Sequence, residues 1–397
     1  MTSRSKISRG ILRFLSAVLA VAGHAACAAE SAPATSASAS TASGAAAQAL
    51  FTAGRGGYSS YRIPALAVTG KGTILTFCEG RKYSGGDSGE IDLLVRRSTD
   101  QGAHWSEPYV IWHDSGNTCG NPSPVLDRKT GKIVLLGTWN SGTDHETAIN
   151  DRTAADTRRV FFMDSSDDGL SWSKPREITG EVKDAGWTWY ATGPGAGIQM
   201  EKGPHAGRLV VPCDHFEPAA HASRSHVIYS DDGGTTWKLG GSSTGQGNEC
   251  EVVELTGGRL MLNMRNADYS VRNRQVCVSD DGGVSWKDQK PDPQLIEPVC
   301  QGAIRRYCFP DGDRPGVILF SNPADRETRK NLTLRASDDD GATWPSSVVL
   351  EAGAAAYSDL AVLPNGRIAC LYETWEHGIQ IIRFADLPLS SLTAPVK

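Results

Sequence analysis

Apolar residues in this chain come in short runs, not at helical spacing. Lys132-Ile133-Val134-Leu135-Leu136, Val160-Phe161-Phe162-Met163, Arg208-Leu209-Val210-Val211 and Gly316-Val317-Ile318-Leu319-Phe320 are rich in β-branched and aliphatic side chains. Gly72 to Phe77, Arg259 to Leu262 and Gln275 to Val278 have the same character, and several of these runs follow a Gly-containing turn, as strands do. No segment sustains a 3.6-residue apolar period, so helix should be scarce.

Polar residues between the runs repeat a signature, Ser-x-Asp-x-Gly-x-x-Trp. It occurs at Ser98–Trp105, Ser165–Trp172, Ser230–Trp237, Ser279–Trp286 and Ser337–Trp344, with Ser-to-Ser intervals of 67, 65, 49 and 58 residues. A constant turn at unequal intervals means one small unit recurs while the loops between copies vary. Ser and Asp can bond nearby amides, Gly supplies positive φ, and Trp covers the turn with an apolar face. Recurring units of about 40–50 residues with four short strands each predict an all-β protein, a β-propeller. The chain from Leu50 onward divides best into six blades. The last would close by pairing the two chain ends, around Phe51–Val68 and Ser358–Phe384.

The first 29 residues read as a signal peptide. Arg4, Lys6, Arg9 and Arg13 precede a short apolar run from Phe14 to Gly23, and small residues around Ala25 to Ala29 suit cleavage. The run is too short to span a bilayer. Lipidation at Cys27 is the weaker alternative, because His24 stands where an aliphatic residue is wanted. Residues 30–49, nearly all Ala, Ser and Thr, form a linker unable to build a core. A secreted or periplasmic protein is therefore expected, with no transmembrane segment in the mature chain. Losing the leader's four cations would take the formal charge from −5 to −9. That argues against nucleic acid as a partner. An anionic ligand would have to find its cations gathered locally. Cysteine and histidine spacings give no metal motif, and no cofactor is expected. Cys300 and Cys308 could bridge a loop, whereas Cys78, Cys250, Cys277 and Cys370 sit in strand-like runs as small buried hydrophobes.

Tyr61-Arg62-Ile63-Pro64 followed by these boxes resembles the sialidase (neuraminidase) superfamily of the bacterial, non-viral type. The likeness continues through Glu79-Gly80-Arg81 with Gly86-Asp87, Asn248-Glu249-Cys250-Glu251, Asn263-Met264-Arg265-Asn266, Arg329-Lys330-Asn331, Ala356-Tyr357-Ser358-Asp359 and Leu371-Tyr372-Glu373. It covers nearly everything from residue 50 onward. It implies a catalytic propeller domain over 50–397 and an exo-α-sialidase. Such an enzyme hydrolyses terminal sialic acids from oligosaccharides, glycoproteins or gangliosides with retention of configuration.

The roles that follow from the resemblance make chemical sense. Sialic acid carries a carboxylate on its anomeric carbon, and guanidinium grips a carboxylate with a fork that cannot titrate away. Arg62, Arg265 and Arg329 are the implied clamp; Arg326 and Lys330 are near enough to Arg329 for a slip of register. An anionic nucleophile would be repelled by that carboxylate, whereas a neutral phenol would not, and sialidases are the known Tyr exception among glycosidases. Tyr357 is the implied nucleophile and Glu249 its base, with Glu251 and Glu254 as competitors; Glu251 stands where relatives commonly carry Gln. Asp87, in the Ser84–Gly89 loop, is the implied acid/base, with Asp92 and Glu90 as fallbacks. Glu373 would orient Arg62, and Arg81 would touch the sugar's ring substituents.

Other candidates carry less. Gly193-Pro194-Gly195-Ala196-Gly197 lacks the Lys-Ser/Thr of a phosphate loop. Trp187 and Trp189 could wall the pocket or simply pack. His205, His215, His221 and His226 lack ligand spacing and read as surface loop residues. Two alternatives to hydrolysis stand: a trans-sialidase on the same scaffold, and a non-catalytic Asp-box propeller that binds without reacting, since fold is not function.

Overall fold

A computed structural model describes residues 47–393. Most of the segments read as leader and linker therefore lie outside the described residues, although the first strand, Gln48–Thr52, takes in the end of the linker. Strands dominate. Among the described residues the α-helices are two short ones, Glu146–Asn150 and Thr179–Val182.

The strands run up and down in antiparallel meanders. Ser60–Val68 pairs with Ile74–Arg81, which pairs with Ile91–Ser98, and Tyr109–Trp112 follows at the edge. Cys250–Glu254, Leu260–Met264, Asn273–Ser279 and Lys287–Ile296 repeat that order as a separate sheet. First strands of successive meanders touch in sequence. Ser60–Val68 meets Thr118–Asp127, which meets Tyr190–Thr192 and Ile198–Gln199; Ile198–Gln199 meets Cys250–Glu254. Ala303–Cys308 and then Ser346–Val362 follow, and Ser346–Val362 returns to Ser60–Val68. Gln48–Thr52 pairs with Ile379–Leu387, so the N-terminal strand completes the sheet of the C-terminal hairpin. That closure joins the ends of the chain, as the sequence suggests, with Gln48–Thr52 as the N-terminal partner.

The five boxes are superposable in their bonding. In each, the Ser hydroxyl donates to the Asp two residues on at 2.8 Å. The Gly amide four residues on donates back to that hydroxyl at 2.8–2.9 Å. The Asp carboxylate then accepts the amide four residues beyond itself. Each Gly is held at positive φ, between 68° and 92° at Gly102, Gly169, Gly233, Gly282 and Gly341 or their neighbours, where a side chain would be strained. The Trp of the box then folds into the core: Trp237 packs with Val134, Leu209 and Ile228, and Trp344 with Phe320. Each such burial is worth about 1.5–3 kcal/mol or more, so the boxes anchor the outer strands to the core.

Two expectations are corrected. Cys300 is a buried, free thiol packed with Ile63, Ala356 and Tyr357, and makes no bridge to Cys308. His215 and His226 are not on surface loops. They lie fully buried on neighbouring strands, where the register Cys213↔His226 brings their Nδ1 atoms to 3.0 Å. Burial lowers both pKa values, His215 to about 4.

Candidate active site

The residues singled out from sequence arrive from distant strands at one end of the contacting first strands. Tyr357 sits on Ser346–Val362, 6 % exposed, and its hydroxyl donates to Glu249 Oε1 at 2.5 Å. Glu249 precedes the strand Cys250–Glu254, and its other oxygen accepts Arg265 Nη1 at 2.7 Å. Arg265 follows the adjacent strand and also lies 3.3 Å from the Tyr357 hydroxyl. Its backbone amide donates to the Glu249 carbonyl at 2.8 Å, so pairing of the two strands fixes both side chains.

Arg62 and Arg329 flank the same ring, their guanidinium carbons 4.8 Å and 5.7 Å from its centroid. Arg62 is aimed by a bulge between Arg62 and Ala65, where Ile63 adopts φ 61°. A β-branched residue in that region costs of order 1–3 kcal/mol. Buried Glu373 offsets the strain by accepting both Arg62 Nε at 2.8 Å and the Ile63 amide at 2.9 Å. Arg329 donates to the Val299 carbonyl at 3.3 Å. Arg326 turns instead to Arg272 and Asn273, and Lys330 to Asp325.

Asp87 is set apart from this cluster. Its loop joins Ile74–Arg81 to Ile91–Ser98, and its side chain is 72 % exposed. Arg81 Nη1 holds it at 2.7 Å while Arg62 Nη1 lies at 3.9 Å. Arg81 is itself clamped by Glu79 through Nε and Nη2, at 3.0 and 2.7 Å. Partial loss of water works to raise the Asp87 pKa, but the Arg81 and Arg62 guanidiniums prevail and hold the carboxyl below its ordinary range. Tyr357 behaves oppositely. Burial, with Glu249 beside it, pushes the phenol well above 10 despite Arg265 and Arg62. In the free protein it is therefore a neutral hydroxyl whose proton already points at a carboxylate.

The competitors of these residues are employed elsewhere. Glu254 accepts the Glu201 and Lys202 amides, Asp92 accepts the Tyr58 hydroxyl, and Glu90 pairs with Lys82. Glu251 is buried and accepts the Ile304 amide.

Sequence reasoning missed several neighbours. Glu79 and Asn121 are coupled, Glu79 Oε1 accepting the Asn121 amide at 2.9 Å, with Asn121 at φ 53°. Arg158 is fully buried, bonds Asn121 and Thr138, and lies 4.0 Å from the Trp189 ring centroid. Of the two tryptophans the sequence singles out as pocket wall or packing, Trp187 packs, stacking on His215 at 3.4 Å. Glu79 and Asn121 carried a faint signal, two residues before Arg81 and within Gly120-Asn121-Pro122. Arg158 carried none.

A family model described as a BNR repeat-like domain matches residues 72–370. A sialidase from Micromonospora viridifaciens is 38 % identical over 88 % of this chain and 55 % of its own length. An exo-alpha-sialidase from Aspergillus fumigatus is 31 % identical over 71 % of this chain and 69 % of its own. This chain belongs to the sialidase family. Among solved structures, a Hadza microbial sialidase superposes with a TM-score of 0.77 at 28 % identity, covering 87 % of this chain and 69 % of that one. The fold is thus the β-propeller of the sialidases. The chain spans little more than half the length of the Micromonospora sialidase it matches. Among the described residues, no helix of this sialidase-family chain is long and apolar enough to cross a membrane.

Proposed function

We propose that this member of the sialidase family is an exo-α-sialidase, hydrolysing terminal α-linked sialic acids from glycoconjugates with retention through a covalent intermediate on Tyr357. One observation carries the reading: a buried phenol hydroxyl 2.5 Å from a carboxylate, beneath three converging guanidiniums. A surface that merely binds has no use for a nucleophile already bonded to its base.

The substrate carboxylate sits on Arg62, Arg265 and Arg329, which places the anomeric carbon over Tyr357. The phenol oxygen attacks that carbon while Glu249 takes its proton. The glycosidic C–O bond breaks, and Asp87 gives a proton to the departing oxygen. Asp87 then takes a proton from water, the hydroxide displaces the phenol oxygen from the anomeric carbon, and Glu249 returns the proton to Tyr357. Two displacements give retention. Asp87 starts ionised, but a bound carboxylate beside Arg62 offsets part of the cationic field and raises its proton affinity. Substrate binding itself loads the acid.

The strand contacts that run from Ser60–Val68 round to Ser346–Val362 and back support six blades, with the site at their common end. We read residues 1–29 as a signal peptide and the protein as secreted or periplasmic. The experiment is proton NMR of products during turnover of a sialyllactose. Release of α-sialic acid first supports the reading, β-sialic acid first overturns retention, and absence of turnover overturns the enzyme.

A further inference from the structure

Each member of the proposed catalytic pair has a buried acid two residues further along the chain. Glu249, just before the strand Cys250–Glu254, is followed by Glu251 within it, and Tyr357 by Asp359 on Ser346–Val362, a step of about 6–7 Å in extended chain. Both acids have no exposed surface, and they converge on one cation, Arg305. Arg305 Nη2 lies 3.4 Å from Asp359 and 3.9 Å from Glu251.

These three residues tie together strands far apart in sequence. Glu251 Oε2 accepts the Ile304 amide at 2.9 Å. Asp359 accepts the Leu66 amide at 2.6 Å and that of Leu360 at 2.7 Å. Arg305 donates to the Leu360 carbonyl at 3.1 Å and the Gly197 carbonyl at 3.2 Å. Gln301 fastens the residue between Tyr357 and Asp359, taking the Ser358 amide at 3.0 Å and giving to its carbonyl at 3.0 Å. Glu251 Oε1 has no partner and presses on Gly195, where a Cβ would lie 1.7 Å from it.

Two buried carboxyls against one guanidinium leave one charge uncompensated, and an unpaired buried charge is too costly to keep. Asp359 has the closer guanidinium contact and two amide donors, so it bears the negative charge. Burial and the neighbouring Asp359 raise the Glu251 pKa well above its ordinary range, which favours its neutral form. The cluster is then neutral overall.

We propose that Glu251, Asp359 and Arg305 form a buried strut beneath the site, which holds the strands of Glu249 and Tyr357 at the separation their hydrogen bond needs. These are positioning residues. They touch no substrate and act through the catalytic pair, and the proposal rests on the reading of Tyr357 as nucleophile.

The test follows the rate at which an activated fluorinated sialoside labels Tyr357, beside the affinity for a 2,3-unsaturated sialic acid, which needs the arginine clamp but no attack. Glu251→Leu removes the strut with little change in volume. It should slow labelling by about tenfold to a hundredfold, as expected for a sub-ångström to ångström misplacement, with ligand affinity near wild type. Glu251→Gln keeps a neutral group of the same shape and should rescue the labelling rate. Wild-type labelling in folded Glu251→Leu overturns the strut, as does an equal loss of affinity and rate, or a Gln variant as slow as the Leu variant. Where Glu251→Leu does not fold, Arg305→Lys replaces it. That variant keeps the charge and gives up the fork onto Gly197 and Leu360, so slowed labelling at unchanged affinity supports the strut and an unchanged rate overturns it. Wild type that fails to label at Tyr357 overturns the proposed function and the strut together. Normal wild-type labelling with indifferent variants overturns the strut alone.

Discussion

The two halves of the site are built differently. On one side Tyr357, Glu249 and Arg265 are almost covered, hydrogen-bonded to one another, and carried on or beside paired strands. On the other, Asp87 stands 72 % exposed on a Ser/Gly loop, and the ion pair with Arg81 is its main tether. Rigidity is invested where the reacting carbon is always the same. On the proposed reading Tyr357 is a nucleophile that meets one sugar, so its geometry can be fixed in advance without reorganisation at the moment of reaction. Asp87, as the proposed acid, would meet leaving groups that differ from one glycoconjugate to the next. In that role a short loop with glycines could follow them, and exposure would let water take the leaving group's place in the second half of the proposed reaction.

The comparison breaks most directly at its rigid half. Tyr357→Phe keeps the ring that Arg62 and Arg329 flank and removes only the hydroxyl. Turnover should fall by about 10⁴-fold or more, as when other nucleophiles are removed, with the melting temperature nearly unchanged. Steady-state kinetics and a thermal melt check both. A lowered melting temperature with intact turnover would make Tyr357 a packing residue.

At the exposed half the loss should depend on the substrate. Asp87→Ala should cost between about 10² and 10⁴-fold on a natural sialoside, whose alkoxide must be protonated as it leaves. A sialyl fluoride needs little such help and should be cleaved at a rate much closer to wild type. Equal losses on both substrates would place the acid elsewhere and remove the functional meaning of the loop's exposure.

A smaller effect tests whether the clamp works by geometry or by charge alone. Arg265→Lys keeps the cation but loses the fork shared between Glu249, Tyr357 and a substrate carboxylate. A charged hydrogen bond lost there costs about 1.5–3 kcal/mol, or roughly 10- to 150-fold in kcat/KM. Near wild-type kcat/KM in that variant would show that the field alone suffices.

How much of this was legible beforehand follows from how local each feature is. A box closes its hydrogen bonds within eight residues, so Ser98 to Trp105 announces its turn without help from the rest of the chain. The Asn248-Glu249-Cys250-Glu251 segment is nearly as local, and it offers Glu249 and Glu251 as competitors for one role. It could not say that one meets the phenol while the other is buried against Arg305, since depth in the molecule depends on strands far away in sequence. The histidines failed for a related reason. His215 and His226 show no ligand spacing, yet strand register sets them side by side in the core, and register between strands is not written in either strand alone. Arg158 is the extreme case. Its partners Asn121, Thr138 and Trp189 come from other strands or the connections between them, so nothing in its neighbourhood of the sequence marks it.

The subtlest difference between the halves concerns protonation. Tyr357 is held neutral by burial whether or not substrate is present, whereas the state of Asp87 depends on what occupies the clamp. In the free protein Arg81 and Arg62 depress its pKa, so the acid form that catalysis needs is lost early as pH rises. With a carboxylate on Arg62, that depression is partly cancelled and the acid form persists to higher pH. The pH profile of kcat/KM reports the free enzyme and that of kcat the complex. The alkaline limb of kcat/KM should therefore lie at lower pH than the alkaline limb of kcat, on a substrate whose first displacement is rate-limiting. Arg81→Gln should sharpen the point. It removes the nearer cation from free enzyme and complex alike, so both limbs should move upward, while the gap between them, set by the carboxylate on Arg62, should remain. Limbs that coincide in the wild type would mean that Asp87 does not sense the clamp. Limbs that do not move in Arg81→Gln would assign the depression to Arg62 alone.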